Sequence, residues 1–183
     1  MTRREKELAG LSSGERCLRV PAPLFLSCFC ALLLGSACAT FHMPTPDNFA
    51  EVQSSRWSLW ALTSEEDKLV VTYFRSDVKQ DLRFWANAVR NNLVGERGYT
   101  LVEEGAFKTD AGIPGHRFLF ELSMGEVPYR YLLVLFATQG WWAQHIYTAQ
   151  FLCEKINYAK SAPAVEDALE KFQPRRGKPQ VAQ

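Results

Sequence analysis

The order of apolar and polar residues divides the chain into an apolar segment near its start and a longer mixed region. The apolar segment extends from Leu24 to Leu34 without a charged residue, and apolar and polar positions are interleaved over residues 49–172. Apolar residues at every second position predict β-strands, and apolar residues every three or four positions predict helices. The pattern therefore predicts a folded region that contains both kinds of element.

Six segments of the mixed region have the alternation or the apolar content of strands. They are residues 56–62, 68–75, 99–109, 117–123, 129–137 and 141–151. The first two flank the polar residues 63–67 and predict a hairpin, and Gly125 with Glu126 predicts a two-residue turn. Residues 129–137 are apolar at nearly every position except Arg130, which predicts a central strand covered on both faces. Short connections between the last three strands predict antiparallel pairing.

Two segments have helical spacing. The first is predicted to begin at an N-cap, Asp77, with Gln80 completing a capping box, and to end at Gly95. The second is predicted to have Pro163 in its first turn and to end before Pro174. Their apolar positions are Val78, Leu82, Trp85, Val89 and Leu93 in the first helix, and Val165, Ala168, Leu169 and Phe172 in the second.

Together these elements predict the fold class. Their order, β-β-α-β-β-β-β-α, indicates an α+β fold in which an antiparallel β-sheet is flanked by helices as an α/β/α sandwich. The region is near the usual length of one domain and is long enough to bury a core.

The leader has basic residues before the apolar segment and small residues after it. Arg16 and Arg19 come just before that segment, and no acidic residue occurs between Glu15 and Asp47. This order is typical of a secretory signal. Because flanking basic residues stay on the cytoplasmic side, everything after Phe41 is predicted to be exported.

The residues Gly35-Ser36-Ala37-Cys38 resemble the lipobox of bacterial lipoproteins. The resemblance implies that Cys38 becomes the first residue after cleavage, with diacylglycerol on its thiol and a fatty acyl chain such as palmitate on its amino group. It also implies a lipid-anchored protein of the bacterial cell envelope, with its domain on the periplasmic or extracellular side. The alternative is an uncleaved transmembrane helix over residues 24–41, whose 18 residues compare with the ~20 that a span needs.

These features divide the chain into four predicted parts. They are residues 1–37 as a signal peptide or anchor leader, 38–48 as a lipidated cysteine and proline-containing tether, 49–173 as a single α+β domain, and 174–183 as a flexible tail. The membrane partner is then lipid, contacted through the N-terminal anchor.

The folded part of the chain is close to neutral. The whole chain has a formal charge of +1, and residues 1–37 contribute five basic and three acidic residues, or +2, which leaves −1 for residues 38–183. Phosphate backbones are bound by concentrated basic surfaces. Nucleic acid is therefore not expected as a partner.

Candidate catalytic residues are few and far apart. His42, His116 and His145 lack metal-ligand spacing, and Cys153 is the one cysteine left after Cys38,. We expect His145 to be a core histidine bonded to a neighbour and Cys153 to be a buried, unreactive thiol. No catalytic residue, cofactor or metal site is predicted. The alternative, a small exported hydrolase or transferase, requires a cleft in which His116 or His145 meets a carboxylate or Cys153.

The adjacent residues Trp141 and Trp142 are the candidate partner surface. On the predicted strand 141–151 they face opposite sides of the sheet, so one of them is exposed if a side is left open. Such an indole would bind a protein or lipid partner. Burial of both indoles would exclude this hypothesis.

The element order resembles the family that includes Mog1, the photosystem II protein PsbP and the lipoprotein DcrB. The resemblance covers residues 49–172 and includes Gly98-Tyr99 after the first helix, the residues 112–115, Gly140 before an aromatic strand, and a final helix ending at Phe172. It implies a binding or chaperone-like role without chemistry. The predicted function is therefore that of a membrane-anchored exported lipoprotein whose domain is a non-enzymatic binding, scaffold or chaperone-like module.

Overall fold

The computed structural model describes residues 40–175 together with the backbone of Lys178 and Pro179. The chain divides into the units Met1–Ala37 and Cys38–Gln183, and every described residue belongs to the second unit. The predicted signal peptide and the predicted lipidation site Cys38 lie outside the described residues.

The described residues form ten strands, two α-helices and one π-helical segment. Their bounds are β1 Phe41–His42, β2 Ala50–Ser54, β3 Ser58–Leu62, β4 Lys68–Ser76, α1 Leu82–Arg90, the π-helical segment Asn91–Glu96, β5 Thr100–Lys108, β6 Pro114–Met124, β7 Val127–Gln139, β8 Gln144–Glu154, α2 Tyr158–Glu170, β9 Gln173–Pro174 and β10 Lys178–Pro179. Neither α-helix in this part of the chain has the length and apolarity to cross a membrane.

One antiparallel sheet organises the domain. Its strands lie in the order β2-β3-β4-β8-β7-β6-β5, and β10 pairs with the last residues of β7. A separate antiparallel pair joins β1 and β9. The predicted hairpin is β3 with β4. The predicted two-residue turn joins β6 to β7, where Met124 is opposite Val127 and Gly125 has a φ of +65°.

The central strand β7 is covered on both faces, which confirms the prediction made from its apolar sequence. Leu132, Val134 and Phe136 pack in the core on the α2 side of the sheet. Leu133 and Leu135 pack in a second core on the α1 side. Since side chains of a strand alternate between faces, a strand buried on both sides is apolar at consecutive positions.

A helical layer lies on each face of the sheet. On one face Ala86 of α1 and Leu93 of the π-helical segment pack with Phe118 of β6. On the other face Val165 and Leu169 of α2 pack with the opposite core. The α+β fold class, with an antiparallel sheet between helices, is therefore confirmed.

The start of α1 differs from the prediction. Asp81, and not Asp77, is the N-cap, because its carboxylate accepts a hydrogen bond from the backbone N–H of Phe84 at 2.6 Å. Gln80 cannot enter the helix, since its backbone N–H and C=O are both bonded to the side chain of Gln144. The helical hydrogen bonding also does not stop at Gly95 but continues through the π-helical segment to Glu96.

The second helix begins earlier than predicted. It starts at Tyr158, five residues before Pro163, which lies inside the helix and not in its first turn. Ser161 in this added part donates a hydrogen bond to the buried carboxylate of Asp67 at 2.6 Å. That bond connects the first turns of α2 to the β3–β4 turn.

The predicted tether and tail are partly wrong. Phe41 and Met43 are buried in the α2-side core, and the Phe41 ring stacks on Phe172 with centroids 5.8 Å apart. Burial of these two apolar side chains attaches residues 40–43 to the domain, although the prolines that follow favour an extended spacer. In the predicted tail, Pro174 pairs with Phe41 of β1, and Lys178–Pro179 pairs with β7.

Candidate functional site

The candidate partner surface is a turn and not a strand. β7 ends at Gln139 and β8 begins at Gln144, so Trp141 and Trp142 lie in the connection between them. The two indoles are 83% and 81% exposed. Their centroids are 6.2 Å apart in an edge-to-face arrangement. The prediction that they face opposite sides of the sheet is wrong, but both are exposed, and the burial that would have excluded the hypothesis does not occur.

Gly140 closes this turn. Its backbone N–H donates to the carbonyl of Ala143 at 2.9 Å. A Cβ at position 140 would lie 2.6 Å from Nε2 of His145 and 2.8 Å from the Ala143 carbonyl oxygen. The turn therefore requires glycine because the backbone and the imidazole approach it closely.

A buried glutamine directly after the turn fixes its position. Gln144, the first residue of β8, is fully buried, and its Oε1 accepts hydrogen bonds from the Gln80 N–H at 3.0 Å and from Nε1 of Trp85 at 2.9 Å. Its Nε2 donates to the Gln80 carbonyl at 2.6 Å. A buried amide that is hydrogen-bonded through both its oxygen and its nitrogen fixes its neighbours, so the turn, α1 and the segment before α1 are joined. Nothing in the sequence pattern indicated this role for Gln144.

Further apolar side chains are exposed at the same end of the sheet. The last residues of β4 and β7 both pair with Gln144, and the N–H of Tyr73 bonds to the carbonyl of Trp57, just before β3. We call the exposed aromatic residues at this end the aromatic end. They are Trp57, Phe74, Phe84, Trp141 and Trp142.

Basic residues surround the aromatic end. The guanidinium of Arg56 lies over the Trp57 ring, 4.7 Å from its centroid, and Nζ of Lys79 donates to the carbonyl of Trp141 at 3.0 Å. The charged side chains of the segments next to the turn are Arg56, Arg75, Lys79 and Arg83 against Asp77 and Asp81. Four basic groups against two acidic ones give this end a positive surplus.

The histidines and the thiol are held in structural contacts. Nδ1 of His145 is 2.8 Å from the hydroxyl of Tyr73, and the two rings are stacked, as predicted for a histidine bonded to a neighbour. Cys153 is buried on the α2 side, as predicted, and burial raises the pKa of its thiol to about 12. A thiol with this pKa remains protonated and is a poor nucleophile.

His116 does meet a carboxylate. Its Nε2 is 2.9 Å from Oε1 of Glu104, whose other oxygen is 3.4 Å from Nη1 of Arg90. His116 is opposite Leu135 on the α1 side of the sheet, whereas Cys153 is on the α2 side. The sheet therefore keeps the histidine and the thiol apart, and they cannot act as a nucleophile and its base.

Among the described residues, neither a grouping of metal ligands nor the cavity beside the π-helical segment gives a second site. Within residues 40–175, no group of three or more His, Cys, Asp or Glu side chains has the arrangement of a metal site. A cavity of about 340 Å³ lies beside the π-helical segment, lined by Arg90, Asn91, Val94, Gly95 and Leu101. Arg90 is its one ionisable lining group, so it does not bring an acid and a base together.

Comparisons with known proteins identify the fold and not a family. No family model matches the chain, and no curated protein matches it. LpqN of Mycobacterium tuberculosis, a solved structure described as involved in cell envelope biogenesis, aligns with a TM-score of 0.53 and 11% identity over 73% of this chain and 82% of its own. The Ran-binding protein Mog1p of Saccharomyces cerevisiae aligns with a TM-score of 0.45 and 11% identity over 74% and 90%. The chain therefore shares the fold of LpqN.

Proposed function

We propose that this protein is a membrane-anchored exported lipoprotein whose domain is a non-enzymatic binding module, and that it binds through the β7–β8 turn. The observation that carries the proposal is the pair Trp141 and Trp142. Each is more than four-fifths exposed, on a turn that is followed by the buried and hydrogen-bonded Gln144. Adjacent exposed indoles expose a large apolar area to water, and such areas are typical of interaction surfaces. Tryptophan is also among the residues that contribute most to binding energy.

The proposed anchor rests on the sequence. The order of basic flank, apolar segment and Gly35-Ser36-Ala37-Cys38 is that of a lipoprotein signal,. The fold shared with LpqN, a protein involved in cell envelope biogenesis, supports a location in the envelope. Lipid on Cys38 would hold the domain at a membrane on the periplasmic or extracellular side.

The proposal of a binding role without chemistry is supported by the local environments of the candidate groups. Cys153 is buried with a raised pKa, His145 is bonded to Tyr73, and His116 is paired with Glu104 across the sheet from the thiol. Each group is held by a contact within the fold. The exposed turn, in contrast, has its apolar side chains directed outward.

Lipidation is tested by the intact mass of the full chain purified from membranes in detergent. We expect the mass of residues 38–183 plus the lipid, and we expect Cys38→Ala to lose the lipid mass and its retention in membranes. Cys30→Ala, which changes a cysteine inside the apolar segment, is the matched control and keeps both. Recovery of the uncleaved 183-residue chain without lipid would contradict lipidation and favour the transmembrane alternative.

A further inference from the structure

The aromatic end is also the end at which the chain enters the domain. Thr40 donates hydrogen bonds from its N–H and its Oγ1 to the carbonyl of Arg56, at 3.1 and 2.8 Å. Its own carbonyl accepts a bond from the N–H of Arg175 at 2.9 Å. Arg56 directly precedes Trp57, a member of the aromatic end. The first described residue is therefore fixed beside the exposed aromatic side chains.

The covalent chain sets how far a membrane anchor can be from this surface. Cys38 is two residues before Thr40, and two residues span at most about 7 Å. Three strand spacings separate β3 from β7 in the sheet, which amounts to about 14 Å. An anchor on Cys38 thus holds a bilayer within about 20 Å of the Trp141–Trp142 turn.

The chemistry of the aromatic end matches the surface of a bilayer. Tryptophan is enriched where membrane meets water, because its ring is apolar and its N–H is polar. Each basic side chain near an anionic lipid surface raises the affinity for that surface about fivefold. Arg56 and Lys79 are next to the exposed indoles, so apolar and cationic groups are present together.

We propose that the aromatic end lies in the interfacial region of the bilayer that holds the anchor, with Trp141 and Trp142 at the level of the lipid headgroups. The proposal rests on the proposed anchoring and names the partner of the same turn. The domain is then oriented, with β7 and β8 running from the membrane toward the β6–β7 turn. Ile156, 84% exposed after the end of β8, lies at the opposite end of the sheet and faces away from the lipid.

The experiment uses tryptophan emission quenched by brominated lipid. The full chain is purified in detergent and reconstituted into vesicles of phosphatidylcholine and phosphatidylglycerol with brominated acyl chains. We expect the wild-type emission to be quenched relative to vesicles without bromine. The double variant Trp141→Phe with Trp142→Phe is expected to lose most of that quenching. Of its remaining indoles only Trp57 belongs to the aromatic end, and Trp57 is 44% exposed against 83% and 81% for the replaced pair.

Controls keep the result specific. Ile156→Ala removes an equally exposed apolar side chain at the far end and is expected to be quenched like the wild type. The phenylalanine replacements keep an exposed aromatic ring at each position, and thermal unfolding followed by circular dichroism checks that the variants are folded.

The contribution of the basic groups is tested separately. Lys79→Gln removes one positive charge and is expected to show less quenching than the wild type in vesicles that contain phosphatidylglycerol.

The outcomes separate this inference from the proposed function. If the wild type stays with the vesicles but is not quenched, the orientation is wrong while the anchoring stands. Undiminished quenching in the double variant also overturns it, because indoles other than Trp141 and Trp142 then make the contact with the lipid. A blue shift of the emission that requires added envelope protein, and not lipid, would assign the turn to a protein partner and overturn the inference. If the wild type leaves the vesicles, both the anchoring and the orientation fail.

Discussion

At the scale of single residues, a close contact fixes the turn that presents the tryptophans. Gly140 has the His145 imidazole and the Ala143 carbonyl where a Cβ would be. In the sequence, a glycine between two apolar segments is a turn signal. The predicted strand 141–151 nevertheless begins too early, because the turn that starts at Gly140 continues to Ala143 and β8 begins at Gln144. The exposure of both indoles was not predictable, because it depends on which residues the turn leaves unpaired.

Gly140→Ala is expected to lower the free energy of unfolding by about 1–3 kcal/mol, the usual cost of forcing extra volume into a packed site. Urea denaturation measures the change. Gly105→Ala is the matched control, since nothing lies within 4 Å of a Cβ built there, and it is expected to be neutral. Equal stabilities of the two variants would show that the contact at Gly140 does not constrain the turn.

The side chain of Gln144 illustrates what sequence patterns miss at this scale. It bonds to residue 80 and to Trp85, far apart from it in sequence. A polar residue in a strand gives no periodic signal of such a partner. The same bonds explain why the N-cap of α1 is Asp81, four residues later than the predicted cap Asp77.

At the scale of elements, strongly patterned segments were predicted well and their ends were not. The central strand β7 was recognisable because both of its faces are apolar. In α1, Asp77 and Asp81 are both good cap residues, and the Gln80–Gln144 bonds decide between them. The strand β2 is exposed at every position and therefore has no apolar pattern by which it could be predicted.

Replacing the true cap of α1 is expected to cost more than replacing the predicted one. Asp81→Ala removes the bond to the Phe84 N–H and is expected to destabilise the domain by about 1 kcal/mol. Asp77→Ala removes only a long contact to Arg75 between two exposed side chains and is expected to have little effect. Thermal unfolding of the two variants makes the comparison, and a larger loss for Asp77→Ala would contradict the assigned cap.

At the scale of the whole molecule, the class of fold was predictable and its borders were not. Element order and short connections indicate an antiparallel sheet between helices. The first and last strands escape prediction because β1, β9 and β10 have two residues each, too few for a periodic pattern. Their pairing depends on contacts between distant parts of the chain, such as the stacking of Phe41 on Phe172.

The border of the domain can be tested at Phe41. Phe41→Ala is expected to reduce the free energy of unfolding by about 3–5 kcal/mol, as for other buried aromatic residues. His42→Ala, at the next and exposed position, is expected to change it by less than about 0.5 kcal/mol. Denaturant unfolding distinguishes the two. If Phe41→Ala is as stable as the wild type, residues 40–43 are a tether after all.

The binding role of the Trp141–Trp142 turn is tested most directly by photo-crosslinking in living cells. Benzoylphenylalanine replaces Trp141 in one full-length variant and Ile156 in another, so that equally exposed positions at the two ends of the sheet are compared. Mass spectrometry of the purified protein identifies the adducts after irradiation. We predict adducts to lipid or protein at position 141 and none at position 156. Absence of adducts at position 141, or equal yields at the two positions, would contradict a binding surface at this turn.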